Sequence, residues 1–77
     1  MAEHLDPVID LEAKAEAAYE AMYEAGDLRA AGVCFSEAKE LFRDAIEVAS
    51  SVGATVKIAR LEARLAHLKA VFRSQFS

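Results

Sequence analysis

Proline occurs once in this chain of 77 residues, glycine three times, cysteine once and tryptophan never. So few turn-forming residues cannot supply the many tight turns of an all-β domain. A lone Cys34 has no second thiol to pair with, which excludes an intrachain disulfide and with it the stapled miniprotein class. His4, Cys34 and His67 fall in three separate segments, and no C-x-x-C, H-x-x-x-H or E-x-x-H spacing occurs, so no metal is expected. A glycine-rich phosphate loop is also missing, and no base stands beside Cys34 to activate it as a nucleophile. The expectation is a protein that is not an enzyme and holds no cofactor. Aromatic residues do not alternate with bases in a way that would stack nucleobases, and the net charge of −4 opposes unspecific attraction to nucleic acid or anionic lipid. No apolar run approaches the roughly 18 residues that span a bilayer. Met1 to Leu11 has neither the basic stretch nor the apolar core of a leader, so a cytoplasmic location without a membrane partner is expected.

What the chain has in quantity is alanine, at 17 positions, within a total of 42 apolar residues. That composition favours helix nearly everywhere and makes the fold class all-α. It also leaves little large side-chain area for a core. A domain of this size buries only about 60 to 65% of its unfolded surface, so stabilisation by a protein partner or by a second copy, as a homodimer, is expected.

Three helices can be read from the spacing of apolar residues. Asp6-Pro7 is a start signal, because the carboxylate can accept an orphan N–H and proline at the first position sacrifices no helical bond. Val8, Leu11, Ala15, Ala18, Tyr19 and Met22 then recur at intervals of three and four until Gly26-Asp27, which places helix 1 at 7–25. A second stripe, from Leu28 through Ala31, Phe35, Ala38, Leu41, Phe42, Ala45, Val48 and Ala49 to Val52, predicts helix 2 at 28–52. Thr55 is the expected cap of helix 3 at 55–75, whose stripe is Ile58, Leu61, Leu65, Leu68, Phe72 and Phe76. Leu65 lies at its centre and is expected to anchor the core. Connections this short make consecutive helices antiparallel, giving one domain that is either an up-down-up bundle or a hairpin with a third packing helix.

Charge is divided along the chain. Residues 1–26 carry net −6, residues 27–53 net −2 and residues 54–77 net +4. Glu12, Glu16, Glu20 and Glu24 repeat every four residues, a ladder whose members repel by about 0.2 to 0.5 kcal/mol per pair. Lys57, Arg60, Arg64 and His67 form a matching basic ladder on helix 3. Since helices 1 and 3 would be parallel, the ladders are expected to face each other within one chain, with an intermolecular contact as the other reading. Gly32 interrupts helix 2 at a cost of about 0.8 to 1 kcal/mol. The expected compensation is a close approach of helix 1, with Tyr19 or Tyr23 lying over the bare backbone.

Ala18-Tyr19, Met22-Tyr23, Gly26-Asp27, Ala31, Phe35 and Ala38 together resemble a tetratricopeptide-type helical hairpin over roughly residues 12 to 45. The first-helix tryptophan of that repeat is missing, and helix 2 runs past the position where the repeat has proline. Gly26-Asp27 and Ala31, followed by Phe42-x-x-Ala45-Ile46, also resemble the microtubule-interacting-and-trafficking domain, a three-helix bundle. Both resemblances imply a module that binds peptides or helices in grooves and catalyses nothing. The expected function is therefore recognition of a helix or extended segment, from another protein or a second copy, in an inter-helix groove. The partner-binding candidates are Tyr19, Tyr23, Leu61, Leu65, Leu68, Phe72 and Phe76. The alternative is a structural subunit, an obligate homodimer whose third helices pair through Leu61, Leu65, Leu68 and Phe72, with Phe76 lacking cover inside its own chain.

Overall fold

A computed structural model describes residues 7–76. Those residues form three helices, α1 (Pro7–Glu24), α2 (Leu28–Ser51) and α3 (Thr55–Gln75), and no strand. The expected all-α class and helix boundaries hold to within one residue. Asp6 and His4, the expected first cap and one of the imidazoles, lie outside the described residues.

Each turn closes by its own backbone chemistry. Asp27 caps α2 from extended backbone, its Oδ1 accepting the Ala30 N–H at 2.8 Å. At the other end, Gly53 takes φ +69 while its N–H reaches the Ser50 carbonyl at 3.1 Å and that of Ala54 reaches Ala49 at 3.0 Å. This pair of bonds is a Schellman closure, which places a left-handed residue just past the helix and so selects glycine. The closure overturns the expected role of Thr55. Ala54 is the N-cap of α3 and supplies no side-chain bond; Thr55 is already helical, and its hydroxyl turns back to the Gly53 carbonyl at 3.5 Å.

α2 is the central element, packed by α1 on one flank and α3 on the other, in a molecule of 41 × 23 × 12 Å. The α1–α2 contact is built from small residues: Ala15 and Ala18 on one side and Ala31, Ala38, Ala45 and Ala49 on the other are buried. With no side chain beyond Cβ, these faces let the two backbones approach. Larger groups fill the centre, and the fully buried Met22, Phe42, Leu61 and Leu68 come from all three helices. Leu65 is only half-buried, so Leu61 and Leu68, one turn to either side, anchor α3 in its place.

Gly32 departs from expectation. A Cβ placed on it would meet nothing within 4 Å, so neither Tyr19 nor Tyr23 covers its backbone. The tyrosines lie on the flank of α1 that faces α3, where Tyr19 meets His67 and Arg64.

Candidate functional site

α1 and α3 hardly touch through their backbones; they are joined by long side chains. Lys57 Nζ donates to Glu12 Oε1 at 2.8 Å, and Arg64 grips Glu16 with two bonds, Nε to Oε2 at 2.7 Å and Nη2 to Oε1 at 2.6 Å. Half of each ladder is therefore neutralised within one chain, as the parallel arrangement of α1 and α3 requires. Glu20, Glu24 and Arg60 are exposed and form no ion pair among the described residues. The Glu16 bond raises the Arg64 pKa above its already high ordinary value. Its guanidinium also covers the Tyr19 ring, 5.0 Å from the centroid.

From Tyr19 an aromatic chain runs to the C-terminal end of α3. Tyr19 stacks on Tyr23 at 5.7 Å, Tyr23 meets Phe76 edge-on at 6.0 Å, and Phe76 stacks on Phe72 at 5.7 Å. Phe72 in turn lies on Phe35 of α2, which Lys39 covers at 5.1 Å. Phe76 is thus half-covered by its own chain, correcting the expectation that it lacks intrachain cover. Tyr19 is buried, and burial, followed by the neighbouring Tyr23 hydroxyl, pushes its pKa up to about 12.

This placement divides the partner-binding candidates. Leu61 and Leu68 have no exposed surface, because the single chain consumes them in its core. Helix 3 could offer them to a second copy only by opening the fold described here. Tyr19 is likewise turned inward, while Leu65, Phe72 and Phe76 are half-buried. Tyr23 alone of the seven is exposed.

Two grooves border α1. One, of about 430 Å³, is lined by Ala13, Glu16, Ala17, Glu20, Tyr19 and Tyr23, and closed by Arg64. Its polar groups are largely committed to the α1–α3 ion pair. The other, of about 560 Å³, lies between α1 and α2 and includes no residue of α3. Ala17, Ala18, Ala21 and Leu41 give it an apolar floor; Glu37, Glu40 and Asp44 form an acidic wall on α2, and Lys14 stands at one end. Lys14 is drawn to Asp10 on its own helix at 3.3 Å. The 3, 4 spacing of Glu37, Glu40 and Asp44 was a sequence signal for this wall, obscured by the longer ladder on α1.

Among the described residues no group of three or more His, Cys, Asp or Glu side chains could hold a metal ion, and no helix is long and apolar enough to cross a membrane. Compared with protein-family models, curated proteins and solved structures, the chain matches none.

Proposed function

We propose that the protein is a non-catalytic docking module that receives a helical segment of a protein partner in the groove between α1 and α2. The observation that carries this reading is the groove itself, an open channel with an alanine floor and a wall of one charge sign. Alanine at Ala17, Ala18 and Ala21 leaves room for an incoming helix to approach the α1 backbone. Glu37, Glu40 and Asp44 favour a guest with bases beside its apolar face. The resemblance of residues 12–45 to a tetratricopeptide-type hairpin accords with such a use.

The test is a nuclear magnetic resonance titration with a synthetic amphipathic helix bearing alanine on one face and lysine on its flanks. Shifts concentrated at Ala17, Ala18, Ala21 and Leu41, abolished by Ala21→Arg, are the expected result. Shifts confined to the Tyr23 and Phe76 end, or none at all, would overturn it.

A further inference from the structure

The outward face of α3 offers a guest of this description within the chain itself. Val56, Ala59, Ala63, Ala66 and Ala70 are all exposed and repeat at intervals of 3, 4, 3 and 4, on the side opposite the buried Leu61 and Leu68. That spacing makes a continuous helical seam of small apolar groups. Its flanks are basic in balance: Arg60 is exposed on one side, half-exposed Lys69 lies beside the exposed Glu62 on the other, and the segment carries net +4. We infer that the α1–α2 groove of one copy receives the outer face of α3 from a second copy. The inference rests on the groove reading above and names its occupant.

Charge selects this pairing over the others open to the same two surfaces. Groove against groove would oppose Glu37, Glu40 and Asp44 to themselves, and α3 against α3 would face two segments of net positive charge, relieved only by Glu62. Groove against α3 instead sets surfaces of opposite net sign together, and like-charge juxtaposition across an interface is what disfavours wrong partners. The groove is lined by α1 and α2 alone, so the two surfaces are different patches of one molecule. A contact between unlike patches is heterologous: it extends from copy to copy and stops only if the rotation closes a ring. The same geometry moves self-association from the inner stripe of α3, which the core consumes, to the outer one.

The experiment is sedimentation velocity on the full chain in low salt, from about 10 µM to about 1 mM, a range that covers weak reversible contacts. Wild type is expected to gain mass with concentration and to lose it as salt shortens the screening length from about 30 Å to about 3 Å. Two charge variants then separate the surfaces: one with Glu37→Lys, Glu40→Lys and Asp44→Lys, the other with Arg60→Glu and Lys69→Glu, each checked for helicity by circular dichroism. Each alone should be monomeric, and an equimolar mixture should associate again, since the reversed groove now meets the reversed α3. Ala63→Arg, an exposed change that leaves the core intact, should also abolish association and replaces either charge variant that does not fold. A wild type that is monomeric throughout, or Ala63→Arg associating as wild type does, overturns the inference. If the amphipathic probe still shifts the groove residues in a monomeric wild type, the second-copy occupant alone is lost. If the probe fails as well, the groove reading falls with it.

Discussion

Phe72 of α3 lies flat on Phe35 of α2, ring centroids 4.1 Å apart and planes inclined by 8°. The contact ties the last turns of α3 to the first turns of α2, at the end of the molecule where the alanine-based contact supplies little area. Stacked aromatic pairs contribute about 0.5 to 1.5 kcal/mol beyond the area they bury. A double-mutant cycle with Phe35→Leu and Phe72→Leu should return a coupling energy in that range by urea denaturation. Additive effects of the two changes would show that the rings merely share a surface.

Gly32 and Gly53 should respond to alanine in opposite directions. Gly32 is helical with open space where a Cβ would go, so Gly32→Ala should stabilise by about 0.5 to 1 kcal/mol. Gly53 holds φ +69, and Gly53→Ala should destabilise by about 1 kcal/mol, although it too has open space around it. Thermal melts of both variants decide the matter; a loss of stability in Gly32→Ala would restore a packing role for that glycine.

Much of this was legible along the chain, and the residues show why some was not. Helix limits depend on local chemistry, and Asp27 and Gly53 mark theirs plainly. The pairing of Glu16 with Arg64 could be anticipated because antiparallel connections bring α1 and α3 parallel. The facing of Phe35 and Phe72 could not, since periodicity says which residues share a face but not how far one helix is rotated against its neighbour. That rotation also decides which members of the α3 stripe reach the centre. The second seam on α3 is faint in the sequence because alanine carries so weak a hydrophobic signal beside leucine.

The Glu16–Arg64 pair is bidentate but more than a third exposed on both sides, 39% and 38% of each side chain. Exposed pairs contribute at most about 1 kcal/mol. Glu16→Gln combined with Arg64→Gln should therefore show a coupling below about 1 kcal/mol that shrinks further in high salt. A coupling that is several times larger and insensitive to salt would mean that the seam excludes water.

Tyr19 makes stability depend on alkaline pH. Burial first, and then Tyr23, raises its pKa from 10.0 to about 12 in the folded chain. A raised folded value favours the neutral phenol, so its contribution is fully present below the unfolded value and is lost as pH rises from about 10 through 12. A shift of this size corresponds to roughly 2 to 3 kcal/mol. Denaturation midpoints should fall across that interval in the wild type and fall less in Tyr19→Phe. Equal slopes in the two proteins would assign the alkaline loss to other groups.

Leu61 and Leu65 are one turn apart on α3 and make the sharpest comparison of core depth. Leu61 is fully buried, like Met22, Phe42 and Leu68, and truncating it leaves a cavity in the core. Leu-to-Ala changes at such sites cost about 2 to 5 kcal/mol, a large share of what a domain this small possesses. Leu65 packs against the core from a half-buried position, where water already reaches part of the side chain and less transfer energy is at stake. Leu61→Ala should therefore unfold the chain or halve its stability, while Leu65→Ala keeps a cooperative melt at a modestly lower temperature. Circular dichroism melts of the two variants, side by side, measure the difference. If Leu65→Ala proved the costlier of the two, the rotation of α3 against α2 would have to differ by about one position, or 100°, of the helical wheel.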